Sequence, residues 1–272
     1  MQRKRWTFMI VLISMITILS YLTLGNAVFT SKPATIPAQP ILAIVIDDFG
    51  GPDNCGVAEF MALDRPITAA VMPNLIYSTA HAEEAHRRGH EVILHQPMEP
   101  IHGKASWLGP GAIFSYMSAQ EIQDTFTQNL KSVPHATGFN NHTGSKITSS
   151  KEKITPMLAV AKSKGLYVLD SCTSYKSHIV PVAKNMHIPW VKRDVFLDDV
   201  KSKKHITKQI KKACQVAKQQ GYAVAIGHVG QGGNVTAQTV KEAIPYIEQE
   251  GIKLVPLSEV VKVNNGNSKG KV

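Results

Sequence analysis

The sequence predicts an α/β fold in which parallel strands and crossover helices close into a (β/α) barrel. Short β-branched runs alternate with longer amphipathic stretches from Ile41 onward, and about eight such runs occur. A glycine at 89, 165, 221 or 251 stands between a helical stretch and the next apolar run, where a left-handed helix cap belongs. Eight parallel strands suit a closed barrel, and the same alternation also fits a doubly wound sheet.

In order, the apolar runs are 41–46, 67–71, 91–94, a weaker one at 136–139, 166–169, a weaker one at 188–191, 222–226 and 252–255. Helical periodicity fills 118–131, 153–164, 205–219 and 236–249 between them. Ser118 followed by Glu121 fits a capping box at the start of the first of these. The folded domain is expected over 41–262, and the polar stretch 263–272 is expected to fray.

Residues 1–27 look like a targeting segment. Arg3, Lys4 and Arg5 precede an uncharged apolar stretch from Trp6 to Leu24, and Gly25-Asn26-Ala27 supplies small residues for cleavage. The stretch is also nearly long enough to span a bilayer, so a cleaved signal peptide and a retained membrane anchor both fit. Residues 28–40, with prolines at 33, 37 and 40, read as a tether. The protein is therefore expected to be exported, either secreted or anchored at the outer face of the cytoplasmic membrane. Cys55, Cys172 and Cys214 form no CxxC, so no cysteine metal site is encoded. The net charge of +10 falls to +7 once the three leader positives are removed, and lysines crowd residues 192–218. That basic stretch suits a solvated helix face or attraction to an anionic envelope polymer. No basic–aromatic motif for nucleic acid appears, and no obligate protein partner is implied.

The functional signal lies in the polar residues just beyond each apolar run. The first run ends in Asp47-Asp48, the third in His95 through Glu99, the fourth in Asn140-Asn141-His142 and the fifth in Asp170-Ser171; the sixth leads to Arg193-Asp194 and the seventh ends in Gly227-His228. In a barrel these ends share one mouth, where side chains remote in sequence meet. Two adjoining carboxylates in a low-dielectric mouth need a cation or a shared proton. Imidazoles at His95 and His142 suit a first-row divalent ion, and His228 could donate a proton to a leaving group. Asp170, Asp194 and Asp198 are candidate orienting carboxylates, and Arg193-Asp194 also fits a structural ion pair. The remaining histidines fall on helices, outer loops or, at His90, the wrong end of a strand.

Asp47-Asp48-Phe49-Gly50, Gly89-His90-Glu91-Val92 leading to His95, and Gly227-His228 resemble the NodB-type polysaccharide deacetylases. The segments His95-Gln96-Pro97-Met98-Glu99, Asn140-Asn141-His142-Thr143-Gly144-Ser145, Leu169-Asp170-Ser171 and Arg193 through Asp198 bring the likeness closest to the divergent polysaccharide deacetylase family. The resemblance implies a distorted (β/α) barrel, a divalent metal, commonly zinc, held by Asp and His, and removal of N- or O-linked acetyl groups from a glycan. It implies Asp47 as catalytic base, Asp48 and His95 as metal ligands, His228 as catalytic acid, and Arg193 and Asp194 as the segment orienting that acid. The family's second metal histidine, four residues after the first, is here Glu99; either Glu99 or His142 then completes the ligand set. Cys172 stands where an arginine is expected, and the loop after His228 carries glycines in place of prolines. A glycan-binding protein without catalysis, and a hydrolase of non-sugar amides or esters, are the other functions compatible with these residues.

Overall fold

A computed structural model describes residues 39–268 of the chain. The expected leader, and all of the tether except Gln39 and Pro40, lie outside the described residues. The strands are β1 (Ile41–Phe49), β2 (Thr68–Val71), β3 (Glu91–Met98), β4 (Ala136–Thr143), β5 (Tyr167–Asp170), β6 (Trp190–Lys192), β7 (Val195–Phe196), β8 (Tyr222–His228) and β9 (Lys253–Leu254). The helices are α1 (Val57–Met61), α2 (Ser78–Arg87), α3 (Ala119–Lys131), α4 (Ser145–Thr148), α5 (Lys151–Ser163), α6 (Ile179–Met186), α7 (Lys203–Gln220), α8 (Gly233–Gln249) and α9 (Leu257–Ser268). Every expected apolar run falls on a strand; β7 is additional. Among the described residues no helix is long and apolar enough to cross a membrane.

All strand pairs are parallel, in the order β6-β5-β4-β3-β2-β1-β8-β7, with β9 also paired to β1. The ladder is open between β6 and β7, so it forms a half-barrel and not the fully hydrogen-bonded ring that eight strands suggest. The gap is crossed by the chain itself. Arg193 donates its amide to Asp170 O on one side at 3.0 Å, and Asp194 donates to Val224 O on the other at 2.9 Å. Two consecutive residues thus stitch the two edges, which is the distortion of this barrel.

Alternation along the strands sorts two cores. Leu42, Ile44 and Ile46 of β1 point outward against the helices, in a large cluster with Phe60, Phe126, Ile154 and Ile210. Ala43 and Val45 point inward, with Ile93, Leu169, Val191, Val224 and Ile226. Inward Gly138 makes room for the Tyr167 ring, because a Cβ there would lie 2.5 Å from it. Leu257, Val260 and Val261 of α9 plug the inner core from the floor. The plug is fastened by the Leu257 amide donating to Thr68 Oγ1 at 3.0 Å and the Ser258 amide donating to Glu91 Oε2 at 3.1 Å.

Of the stretch 263–272 expected to fray, residues 263–268 are helical, as the end of α9, and residues 269–272 lie outside the described residues. The side-chain amides of Asn264 and Asn265 donate to Trp190 O at 2.7 and 2.9 Å, which ties the helix to the start of β6. The predicted caps are present. Ser118 and Glu121 form a reciprocal capping box, and Gly89, Gly165, Gly221 and Gly251 all have positive φ.

Candidate active site

The mouth is made by continuing the inward columns one step. On β1 the sequence Ala43, Val45 is followed by Asp47; on β3 Ile93 is followed by His95; on β8 Val224 and Ile226 are followed by His228. Strand register places Asp47 beside His228 and His95 beside Asn140. Strict alternation would send Asp48 outward. It does not, because β1 carries an extra residue there: Ile46 pairs with Ala69 and Phe49 with Val71, three steps against two. Asp48 takes φ 72°, a left-handed conformation unusual for a side-chain-bearing residue, and so turns back to the mouth. The amide of Gly50 just beyond donates to His81 Nδ1 at 2.9 Å, which supports the turn from α2.

Three ligand-type atoms meet at this point. Asp48 Oδ1 lies 3.3 Å from His95 Nε2 and 3.1 Å from His142 Nδ1, and the two ring nitrogens are 3.1 Å apart. Atoms about 2.0–2.2 Å from a zinc ion in tetrahedral or octahedral arrangement stand roughly 2.8–3.6 Å from one another, so this triangle fits such an ion. Asp48 Oδ1 is buried without a directed hydrogen bond, an orphaned acceptor of the kind a cation satisfies. Burial alone would raise the Asp48 pKa, but His142 and His95 outweigh it and hold the carboxyl well below its ordinary range. For His95, burial would favour the neutral ring; the charges of Asp47 and Asp48 reverse this and raise it to about 9.

Asn140 organises the buried side of the triangle, and its sequence context alone assigns it no role of its own. Its Nδ2 donates to Asp47 Oδ1 at 2.9 Å and to Ser171 Oγ at 3.2 Å, which leaves Oδ1 to face His95 Nδ1 at 2.7 Å. A carboxylate only accepts, so the amide has one orientation, and Nδ1 of His95 must be its protonated nitrogen. The lone pair of the neutral ring is then on Nε2, facing Asp48 and His142. Asp47 is 3% exposed, with Oδ2 3.6 Å from His95 Nε2. Burial raises its pKa against the pull of His95 and His228.

His228 is held by Asp198, not by Asp194. Asp198 Oδ1 accepts from His228 Nδ1 at 2.8 Å, while Oδ2 accepts from the His228 amide at 3.0 Å, Thr236 Oγ1 at 2.9 Å and Lys201 Nζ at 2.6 Å. Burial opposes ionisation of Asp198, yet His228 and Lys201 bring it down to about 2. Burial likewise opposes charge on His228, but Asp198, Asp47 and Asp48 raise its pKa. Asp194 stands at the N-terminal end of β7, away from the mouth, and accepts from the Val224 amide at 2.8 Å and Gln220 at 3.1 Å. Asp198, one of the three candidate orienting carboxylates, comes after β7 and so lies at the correct end; recognising that two-residue strand would have singled it out from Asp194. Arg193 Nε donates to Ser171 O at 2.8 Å, and its guanidinium lies over Phe196, whose ring is 4.9 Å from that of His228.

Glu99 stands outside the ligand cluster. β3 ends at Met98, and beyond it the Glu99 carboxylate accepts from Lys146 Nζ and the Ser115 amide, each at 2.7 Å. These partners outweigh burial and lower its pKa. Among the described residues, Asp48, His95 and His142 alone gather as a possible metal-ligand group.

A family model described as divergent polysaccharide deacetylase matches residues 44–261. The chain belongs to the divergent polysaccharide deacetylase family. It is 36% identical over 188 residues to the uncharacterized protein YibQ of Escherichia coli (strain K12), a match covering 69% of this chain and 58% of that protein. An uncharacterized protein of Agrobacterium tumefaciens C58 shares the fold with a TM-score of 0.76 at 21% identity, over 82% of this chain and 89% of that one. The Xyl-CE4 domain of a multidomain xylanase from the hindgut metagenome of Trinervitermes trinervoides aligns with a TM-score of 0.50 at 16% identity, over 84% and 92% of the two chains.

In this member of the family, Cys172 adopts φ 55° after β5 and is one of three free cysteines. Its amide donates to Asp170 Oδ1 at 2.9 Å, so it serves the turn below Ser171.

Proposed function

We propose that the chain is a metal-dependent deacetylase acting on N- or O-acetyl groups of a polysaccharide or cell-envelope glycan outside the cytoplasm. The observation that carries this reading is the Asp48–His95–His142 triangle with its orphaned carboxylate oxygen, flanked by Asp47 and His228. Asp48 Oδ1, His95 Nε2 and His142 Nδ1 would hold the ion, zinc being the best match to such a donor set. A divalent cation bound there supplies Lewis acidity, making water more acidic and polarising an acyl C=O.

The protein's own groups supply the proton transfers. Asp47, ionised and steered by Asn140, takes a proton from water as its oxygen bonds to the acetyl carbon. Asp198 beside Nδ1 raises the pKa of His228 and so favours the protonated ring that a general acid needs. With Nδ1–H given to Asp198, Nε2–H is the proton available to the leaving nitrogen or oxygen as the acyl bond breaks. The products are acetate and a free amine or hydroxyl.

The test is acetate release from N-acetylated oligosaccharides and wall glycan by the zinc-loaded chain. Asp47→Asn is expected to reduce the rate by about 10²–10⁴-fold while keeping the metal, and Asp48→Ala to lose both. Undiminished acetate release by both variants would refute the scheme.

A further inference from the structure

The mouth carries a second set of side chains that proton transfer and metal binding leave unused. Among the described residues, the exposed large apolar side chains all lie on loops leaving the C-terminal ends of strands: Ile76 and Tyr77 after β2, Ile101, Trp107 and Tyr116 after β3, Tyr175 after β5 and Val200 after β7. The described loops at the floor carry none. Exposed apolar groups gathered on the face that holds a candidate site are a binding surface in the making.

The β3–α3 loop, residues 99–118, is the best defined part of it. Ile113 folds back beside β3, its amide donating to Pro97 O and its carbonyl accepting from Glu99, both at 2.9 Å. Gln96 and Asn129 both donate to Gly111 O, at 3.0 and 2.7 Å, and a Cβ on Gly111 would lie 2.1 Å from Asn129 Oδ1. The Glu99 carboxylate clamps the Ser115 amide to Lys146. The loop is continuous with the ligand cluster, since Thr143, next to His142, donates to Met98 O at 2.7 Å. On this fixed frame two rings are displayed. Trp107, 67% exposed, is backed by Gly103, where a Cβ would lie 3.6 Å from the ring. Tyr116, 79% exposed, has one face stacked on Phe114 at 5.3 Å and so keeps the other open.

We propose that the β3–α3 loop is a preformed wall of a glycan cleft, in which Trp107 and Tyr116 stack on sugar rings other than the one losing its acetyl group. The substrate is then an oligosaccharide chain and not a single sugar. The class of ligand rests on the deacetylase reading; the length requirement and the wall rest on this loop. Singly displayed, rigidly backed rings suit the apolar faces of pyranoses, whose hydroxyls find partners in the polar loop around them.

The experiment measures binding by calorimetry to the full chain in chelator, where hydrolysis does not compete. The probes are the N-acetylglucosamine tetramer and the single sugar N-acetylglucosamine. The tetramer is expected to bind at least about tenfold more tightly, and Trp107→Ala and Tyr116→Ala each to weaken it by about three- to tenfold, with Trp107→Phe restoring most of the loss. Equal affinity for tetramer and single sugar, or alanine variants matching the parent, overturns the proposal. So does binding of phosphatidylethanolamine–phosphatidylglycerol vesicles that disappears in Trp107→Ala, because the rings then serve a membrane. Tight, Trp107-dependent tetramer binding without acetate release in zinc supports the wall and defeats only the hydrolytic reading.

Discussion

A single amide side chain decides which nitrogen of His95 is offered to the cluster. Asn140 cannot reverse, because Asp47 accepts only hydrogen-bond donors, and so it locks both the base and the imidazole. Asn140→Ala should weaken zinc binding by about 10–100-fold, as loss of a partner hydrogen-bonded to a metal histidine usually does, and competition with a chromogenic chelator measures this. Unaltered affinity would show that the tautomer is set elsewhere. Asp198 makes a second prediction. Its depressed carboxyl contributes stability that is complete above the unfolded value of 3.8 and is lost as pH falls toward about 2. Asp198→Asn should therefore cost about 2 kcal/mol at neutral pH and progressively less in acid, read by urea unfolding. The same change removes the negative charge that favours charged His228. The alkaline limb of the acetate-release profile should accordingly move to lower pH, since the acid now loses its proton earlier.

At the scale of elements, the left-handed residues are informative. Asp48, Asn74, Thr143 and Cys172 all take positive φ where β1, β2, β4 and β5 give way to the mouth loops. Four of the six described non-glycine residues with positive φ thus lie where side chains leave strict alternation, while His135 and His187 lie in floor loops. The same contrast separates what is legible in the sequence from what is not. Columns such as Ala43, Val45, Asp47 show an apolar pair and then a polar residue, and strand periodicity alone places the third member at the mouth. Asp48 obeys a bulge that no periodicity announces, and β7 is too short to register against the polar residues around it. Glu99 misleads because the resemblance puts a metal ligand four residues after His95, whereas here β3 ends at Met98 and the Glu99 carboxylate turns to Lys146 and the Ser115 amide. Glu99→Gln should leave zinc stoichiometry intact while making the 99–118 loop more susceptible to limited proteolysis. Lost metal in that variant would return Glu99 to the ligand set. Gly111→Ala, with φ 71° and no room for a Cβ, should destabilise the fold by about 1–3 kcal/mol in the same unfolding assay.

For the molecule as a whole, the cluster ties strands that are distant in sequence: Asp48 lies near the end of β1, His95 on β3 and His142 on β4. An ion binding only the folded arrangement stabilises it by mass action, about 2.7 kcal/mol at a hundred times its dissociation constant. Zinc should raise the melting temperature of the chain reversibly, chelator should return it, and Asp48→Ala should abolish the response. The α/β class and the strand positions could be read from the sequence because they depend on local patterning. How the barrel closes could not, because closure is decided by which edges remain unpaired once the rest of the ladder is complete.

The plug formed by α9 has a further consequence. β1 begins at the floor, and Asn264 and Asn265 are fastened to Trp190 at the start of β6, so the described chain arrives and departs on the side opposite the rim. A molecule moored by either end to a bead or a sheet would turn its rim outward, free to graze over an insoluble polymer that could never diffuse to it.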